Sequence, residues 1–324
     1  MAGGKGCLPT SDYQTISLNF TLQPQKNLMY GYFDYEHPLF RPPSEAHSLI
    51  FQITLGCSRN RCTFCGMYKG KPFHVRPVAD IHTEIESIPP AHRPHIQRIF
   101  LADGDALIYP QKGLLEILDA LDRTFPRLTR IGVYASPASL AGKTAEELAA
   151  LRERKLRILY CGLESGDDAT LLAIDKGYTS GEMLAFCRKA QSAGIKLSVT
   201  AILGLAGAER SREHARATAE WISTLSPEYF SLLTLFYRHN DDFLRGIVPL
   251  TRGGILEEAC ELLRHLAPHR TILRSNHVSN FLQLAGSYPK DRQILIAQVE
   301  SAIARARNHP EWYDEIPDYR EEIY

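Results

Sequence analysis

Three cysteines lie close together in the chain, at Cys57, Cys62 and Cys65, within the segment GCSRNRCTFCG. Three thiolates on one tight loop can bind three irons of a cubane cluster and leave the fourth iron open to another ligand. A structural cluster ordinarily takes four cysteines, so the incomplete set indicates a site that is kept open. A zinc site completed by His74 or another histidine is the alternative interpretation, and chance clustering is a third.

The other cysteines stand alone, at Cys7, Cys161, Cys187 and Cys260. We interpret the last three as buried structural thiols, because an isolated cysteine packs as a small apolar side chain. The sequence contains no second CXXC pair, so a second cluster bound only by cysteines is not expected.

Further candidate residues lie at or after the carboxyl ends of later β-rich runs, in segments that are polar or contain glycine. They are Asp103, Gly104, Asp105, Glu164, Ser165, Lys176, Ile202 and Gly204. Taken singly, each segment is also explained by a helix-entry turn, a helix cap or a surface lysine. The carboxyl ends of parallel strands, however, meet at one face of a sheet. We therefore expect these residues and the three cysteines to lie at a common site.

The elements that position these residues alternate along the chain. Six β-rich runs occur at 48–55, 98–102, 130–134, 157–163, 196–203 and 228–236, and amphipathic stretches occur at 112–123, 143–153, 180–193 and 209–224. This alternation predicts βαβ units and a parallel sheet that is buried on both faces. Six units are fewer than the eight of a closed barrel, so the predicted fold is α/β, a partial (β/α)6 TIM-like barrel.

The flanking regions differ from this core. Residues 1–47 are irregular and rich in proline, and we predict an N-terminal extension that wraps the core 48–236. Residues 237–324 are predicted to be a C-terminal α/β appendage that closes the barrel, with helices at 254–267 and 290–307 and a strand at 271–275.

The cysteine segment, with Phe64 just before the third cysteine, resembles the radical S-adenosylmethionine (SAM) superfamily. The spacing is CX4CX2C, one residue longer than the commonest spacing in that superfamily. The segment GLESGDD that contains Glu164, followed by DKGY with Lys176, resembles the methylthiotransferase and oxygen-independent coproporphyrinogen oxidase-like branch.

The resemblance implies which residues bind SAM. Asp103, Gly104 and Asp105 match the Gly-Gly-Glu motif that receives the ammonium group of SAM. Glu164 matches the residue that contacts the ribose hydroxyls, and Lys176 the residue that meets the SAM carboxylate; these pairings suit the donors and acceptors involved. The neighbouring Ser165 belongs to the same motif, and the segment Ile202-Leu-Gly204 is similar to the one that holds adenine.

The resemblance also implies an activity. A [4Fe-4S] cluster on the three cysteines would bind SAM and cleave it reductively to a 5′-deoxyadenosyl radical, which abstracts hydrogen from a small-molecule or cofactor-precursor substrate. The protein would exclude water and oxygen from this oxygen-sensitive chemistry. A tRNA-modifying enzyme of the same superfamily is one alternative, and a non-catalytic iron–sulfur or zinc protein is another.

Four residues are candidates for contacts with the substrate. By strand alternation, Tyr160 shares a face with Glu164, and Tyr134 ends the third run. Arg274 lies near the end of the predicted C-terminal strand and His277 just after it, and we expect this segment to close the cavity and recognise a polar or anionic substrate. A buried turn that satisfies its own hydrogen bonds is an equal alternative for His277.

Charge and composition limit the possible partners. Lysine plus arginine and aspartate plus glutamate number 37 each, so no net charge favours nucleic acid or anionic lipid. The N-terminus has no apolar signal region and the chain no long apolar run, which predicts a cytoplasmic protein without a membrane partner.

The stretch from Ala46 to Ala79 lacks acids but contains Arg59, Arg61, Lys69, Lys71 and Arg76. It is either a basic surface loop or a docking site for an acidic electron donor such as flavodoxin or ferredoxin.

Overall fold

The computed structural model describes residues 32–236 and 241–318. Its strands are β1 (Leu49–Gln52), β2 (Thr54–Leu55), β3 (His74–Val75), β4 (Arg98–Ala102), β5 (Arg130–Ala135), β6 (Leu156–Glu164), β7 (Lys196–Leu203), β8 (Tyr229–Thr234), β9 (Ile272–Arg274) and β10 (Ala285–Ser287). Eight of them form one sheet in the order β1-β4-β5-β6-β7-β8-β9-β10. Neighbours from β1 to β9 are parallel, and β10 is antiparallel to β9.

Helices connect the parallel strands. They are α1 (Val78–Ser87), α2 (Gln111–Thr124), α3 (Pro137–Gly142), α4 (Ala145–Glu153), α5 (Asp168–Ala173), α6 (Ser180–Ser192), α7 (Ser211–Leu225), α8 (Asp241–Leu244), α9 (Arg252–His265), α10 (Arg292–Ala306) and α11 (Pro310–Tyr313). No helix in the described part of the chain is long and apolar enough to cross a bilayer.

The predicted α/β class and partial barrel are confirmed, with local differences. The first run divides at Ile53, so that β1 joins the main sheet while β2 pairs with β3. The amphipathic stretch predicted at 143–153 begins as a helix only at Ala145. The Thr144 hydroxyl there accepts the amide of Glu147 at 3.1 Å and caps α4. The C-terminal helices and strand correspond to α9, α10 and β9.

The two faces of the sheet have different partners. Alternate strand residues such as Leu159 and Cys161 pack with the helices in the large core, and we call this side the outer face. The opposite, inner face carries a smaller buried cluster made of Ile50, Phe100, Ala102, Ile158 and Tyr160.

Residues 32–48 comprise the described part of the predicted N-terminal extension and Ser48, and from Tyr35 onwards they lie mainly against the inner face. Tyr35 packs on the inner cluster and its hydroxyl donates to the Ile50 carbonyl at 2.9 Å. Further along the segment, the carboxylate of Glu45 accepts from Arg130 at 2.7 Å. Residues 1–31, with Cys7, lie outside the described residues, and the boundaries at 47/48 and 236/237 stay predictions.

Candidate active site

The three cysteines lie on the loop that joins β2 to β3, and all three are partly buried. The amide of Cys65 donates to the carbonyl of Cys62 at 3.2 Å, which folds the second half of the motif into a turn. Burial, and to a smaller extent the charges of Cys62 and Cys57, raise the pKa of Cys65 to about 11. Iron ions bound at this loop would stabilise all three thiols as thiolates.

The donor set of this loop fits a cubane. Among the described residues, no three His, Cys, Asp or Glu side chains form a group that could hold a metal ion. A cubane does not need three side chains around a single ion, because each cysteine binds a different iron. His74, the possible zinc ligand, is exposed and lies opposite Leu55 in the β2–β3 pair.

The cysteine loop is fastened to the loop that joins α5 to α6. Arg59 donates to the carbonyl of Asp175 at 2.9 and 2.8 Å and to its carboxylate at 2.5 Å. A Cβ at Gly177, where φ is +80°, would lie 2.3 Å from the Arg59 guanidinium, so the close approach requires glycine. The amide of Thr63 also donates to the Ile174 carbonyl at 3.0 Å. These bonds place Lys176 beside the cysteines.

Glu164 and Lys176, the predicted ribose and carboxylate contacts, form an ion pair of 2.9 Å. Burial alone would lower the pKa of Lys176, but the adjacent carboxylate outweighs it and holds the pKa above its ordinary value. The charge of Lys176 in turn lowers the pKa of Cys62, although burial raises it overall. The two predicted SAM contacts thus adjoin each other and the cluster loop.

Asp103 and Asp105, which follow β4, both have partners within the protein. The Asp103 carboxylate accepts from Lys71 at 2.7 Å, and from the Gly56 amide and the Gln52 side chain at 3.1 Å each. The Asp105 carboxylate accepts from Ser58 and from the Ser136 amide and hydroxyl. Both side chains therefore connect the cysteine loop to neighbouring strands.

Gly104 lies between these two aspartates and against the first cysteine. A Cβ at Gly104 would lie 3.2 Å from the Cys57 Cβ and 2.7 Å from the Tyr68 ring. The main chain of Gly104 consequently approaches the cluster loop more closely than a residue with a side chain could. Phe64, which precedes the third cysteine, is buried in the outer core.

A buried network connects the turns that follow β6 and β7. The hydroxyl of Ser165 bonds to His214 Nδ1 at 2.7 Å, and His214 Nε2 lies 3.7 Å from Glu258 Oε1. The Glu258 carboxylate accepts the amide of Gly204 at 2.7 Å and the hydroxyl of Ser211 at 2.5 Å. Sequence analysis missed His214 and Glu258; the only available signal was a carboxylate on the apolar stripe of α9.

Tyr134 and Tyr160 both project from the inner face, with ring centroids 6.2 Å apart. The Tyr160 hydroxyl bonds to Glu45 and, at 2.9 Å, to Ser44. The Tyr134 hydroxyl makes no hydrogen bond to any described residue, although burial raises the pKa of its phenol. Of the two predicted cavity residues, Tyr160 is therefore bonded to the N-terminal segment, whereas the Tyr134 hydroxyl has no hydrogen-bond partner in the described part of the chain.

The C-terminal segment reaches the carboxyl end of β8. The hydroxyl of Thr234 donates to Asn280 at 2.8 Å, and Asn280 donates to the carbonyls of Leu232 and Ser275. His277 Nδ1 bonds within its own turn to the Ser279 hydroxyl at 2.8 Å, and burial lowers the pKa of its imidazole. Arg274 is exposed on the inner face.

The cations near the cysteines are largely neutralised by acids from elsewhere in the chain. Asp175 pairs with Arg59 and Arg61, Asp103 with Lys71, and Glu84 with Arg76. Counting charges within the acid-free stretch alone therefore overestimated the positive charge of the folded loop.

The Radical SAM superfamily profile matches residues 51–222, which include the three cysteines, Glu164, Lys176 and Gly204. No curated protein matches the chain. Solved structures do match: coproporphyrinogen III oxidase (HemN) from Escherichia coli shares 17% identity over 67% of this chain and 52% of its own, with a TM-score of 0.51. The methyltransferase TsrM from Kitasatospora setae, solved with cobalamin and a [4Fe-4S] cluster, shares 23% identity over 57% of this chain and 36% of its own, with a TM-score of 0.47.

The cobalamin-dependent enzyme OxsB shares 18% identity over 55% of this chain and 26% of its own, with a TM-score of 0.46. The chain thus spans from about a quarter to about half of the length of these enzymes. Since the family profile covers more than half of the sequence, the chain belongs to the radical SAM superfamily, whose enzymes act with a [4Fe-4S] cluster and SAM.

Proposed function

We propose that this enzyme cleaves SAM reductively and uses the product to abstract hydrogen from a small molecule held on the inner face of the sheet. The observation that supports this most strongly is the docking of the cysteine loop, through Arg59 and Asp175, onto the loop that carries Lys176 and its ion pair with Glu164. Because Gly104 also lies against Cys57, the end of β4 and the loop between α5 and α6 meet at the expected cluster.

When bound, the cluster supplies the electron that converts SAM into methionine and the 5′-deoxyadenosyl radical. The protein's part is to bind and orient. Lys176 would bind the SAM carboxylate and Glu164 the ribose hydroxyls, so their mutual ion pair would open or be shared as SAM enters. The main chain at Gly104, flanked by Asp103 and Asp105, would accept hydrogen bonds from the SAM ammonium. The turn at Ile202 and Gly204, together with the turn at Ser165, would hold the nucleoside, with adenine at Ile202 and Gly204.

The proposed substrate is a small molecule or cofactor precursor, because a balanced net charge disfavours a stable nucleic-acid complex. Tyr134, Tyr160, Arg274 and His277 are the proposed substrate contacts. Of these, the Tyr134 hydroxyl and the Arg274 guanidinium can bond to a substrate directly, whereas the Tyr160 hydroxyl and the His277 imidazole already form hydrogen bonds within the protein.

The proposal includes an electron donor of the flavodoxin or ferredoxin type and a cytoplasmic location where such a donor can reach the cluster. Because the arginines of the cysteine loop are paired with Asp175, docking of an acidic electron donor should depend less on the positive charge of the loop than the sequence predicts. The rate of reduction by flavodoxin is therefore expected to depend only weakly on salt.

The test is anaerobic reconstitution with iron and sulfide, followed by dithionite and SAM, with 5′-deoxyadenosine as the measured product. The Cys65→Ala variant should lose cluster absorbance and product, whereas Cys260→Ala, which removes an isolated buried cysteine, should keep both. Glu164→Ala and Lys176→Ala should bind the cluster but weaken SAM binding about tenfold each. Tight zinc without cluster absorbance, or product from Cys65→Ala, would contradict the proposal.

A further inference from the structure

Three polar side chains form a row across neighbouring strands of the inner face. The strand registers align Thr200 of β7 with Ser231 of β8, and Ser231 with Arg274 of β9. Adjacent strands lie about 4.8 Å apart, and residues aligned across parallel strands project to the same side. The hydroxyls of Thr200 and Ser231 therefore stand beside the base of the Arg274 side chain.

Most of the hydrogen-bonding capacity of this row is unused by the described residues. Within the described residues, the hydroxyls of Thr200 and Ser231 make no hydrogen bond, and Arg274 donates only to the Leu273 carbonyl. All three residues are partly or fully exposed, while Val199, Phe230 and other neighbours on the outer face are buried. A cation and two hydroxyls on an accessible concave face, all available for bonding, can bind a ligand.

The row also leads towards the SAM contacts. Thr200 aligns with Gly162 of β6, and the Glu164 carboxylate folds back over Gly162. Three strand spacings of about 4.8 Å put Arg274 roughly 14 Å from this point, a span that one small molecule can cover. A substrate anchored at Arg274 could thus present its other end to the SAM ribose.

Beneath this row, the next inward-facing layer is aromatic. The registers align Tyr134 with Tyr160, Tyr160 with Ser198, and Ser198 with Tyr229. Aromatic rings favour contact with a flat or apolar body, whereas a guanidinium flanked by hydroxyls favours an oxyanion.

We propose that Arg274, with Thr200 and Ser231, binds a carboxylate or phosphate of the substrate, and that the tyrosine layer contacts its apolar body. This inference rests on the proposed function, because it takes the inner face to be the substrate cavity. A planar, always charged guanidinium can bind either oxyanion through two parallel hydrogen bonds.

The experiment uses three probes that differ only at the polar end: benzoate, phenyl phosphate and neutral benzamide. Their Kd values are measured by ligand-detected NMR titration of the cluster-loaded protein. At least one anion should bind more tightly than benzamide. Arg274→Gln should raise the Kd of that anion at least about tenfold and leave the Kd of benzamide unchanged. The anion that binds more tightly identifies the substrate group as carboxylate or phosphate.

Two further variants separate recognition from general damage. Arg270→Gln removes an exposed arginine just before β9 and should leave all three Kd values unchanged. Thr200→Val combined with Ser231→Ala should weaken binding of the anion at least about tenfold, because two hydrogen bonds to a charged group are lost. Melting temperatures and cluster absorbance of all variants verify the fold.

The inference is wrong if neither anion binds more tightly than benzamide, or if Arg274→Gln binds the anion as the wild type does. These results are independent of SAM cleavage. A protein that forms 5′-deoxyadenosine but binds anions without Arg274 refutes only this inference, whereas failure to form 5′-deoxyadenosine refutes the proposed function.

Discussion

The ion pair between Lys71 and Asp103 joins the end of the cysteine loop to the residue after β4. Its side chains are 4% and 0% exposed. The Lys71 ammonium has three donors, and it donates to the Asp103 carboxylate at 2.7 Å and to the carbonyls of Glu36 and Pro38 at 2.6 and 3.1 Å. At Asp103, where the superfamily motif has glycine, the carboxylate thus serves to position the loop.

Breaking this pair should be costly, because a carboxylate would remain buried without its cation. Lys71→Met is expected to lower the free energy of unfolding by about 3–5 kcal/mol, and adding Asp103→Asn should recover part of that loss. Urea unfolding of the cluster-free protein measures both effects.

Arg264→Met provides the control, because its pair with Glu300 is about half exposed on each side and should contribute less than about 1 kcal/mol. If Lys71→Met cost no more than Arg264→Met, the pair would have no special role in holding the loop.

Two helices fix the strand ends that are expected to hold the nucleoside of SAM. His214 lies on α7 and Glu258 on α9, and together they bind the turns at Ser165 and Gly204. The Ser165 hydroxyl accepts the Asp167 amide at 3.0 Å and also bonds to His214 Nδ1, while His214 Nε2 faces the Glu258 carboxylate at 3.7 Å. A change on α9 can thereby move the turns after both β6 and β7.

Removing the Glu258 carboxylate should loosen the nucleoside site. Glu258→Ala leaves the Gly204 amide without an acceptor and is expected to raise the Kd for SAM about tenfold, whereas Glu258→Gln keeps an acceptor and should stay within about threefold of the wild type. Equilibrium SAM binding to the cluster-loaded protein provides the measurement.

Glu261→Gln, on the same helix but bonded to Arg216 and to neither turn, should leave SAM affinity unchanged. Burial raises the pKa of Glu258, so its contribution to stability is fully present below the unfolded value of about 4.3 and is lost as pH rises through the folded pKa. The stability of the wild type relative to Glu258→Gln should accordingly fall as pH increases. A constant difference across pH would show that Glu258 ionises freely.

At the scale of the whole molecule, the sequence predicted the sheet because its strands are continuous apolar runs, a local property. It also located the cysteines and the Glu164–Lys176 segment, which are contiguous motifs. The path of residues 32–48 depends instead on bonds such as Lys71 to Glu36 and Tyr160 to Glu45, whose partners are 35 and 115 positions apart. The hydrophobic periodicity of a sequence does not predict hydrogen bonds between such distant residues. For the same reason it could not predict the network of His214 and Glu258.

Glu45 holds the N-terminal segment to the inner face and is itself fully buried. Its carboxylate accepts from Arg130, Tyr160 and Ser48. Glu45→Ala would leave the Arg130 guanidinium and the Tyr160 hydroxyl without their acceptor, and is expected to lower the free energy of unfolding by about 2–4 kcal/mol. Because the segment covers part of the inner face, we also expect faster amide hydrogen exchange in residues 32–48.

Glu36→Ala is the matched control for this prediction. Glu36 is exposed, and its bonds to Gln52 and Lys71 all come from the main chain, so the substitution should leave both stability and exchange unchanged. The double variant Glu45→Ala/Arg130→Met removes the unpaired cation as well and should recover part of the lost stability while exchange stays fast. If Glu45→Ala exchanged as slowly as Glu36→Ala, the other contacts of the segment would be enough to hold it, and the Glu45 carboxylate would have no part in fastening it to the inner face.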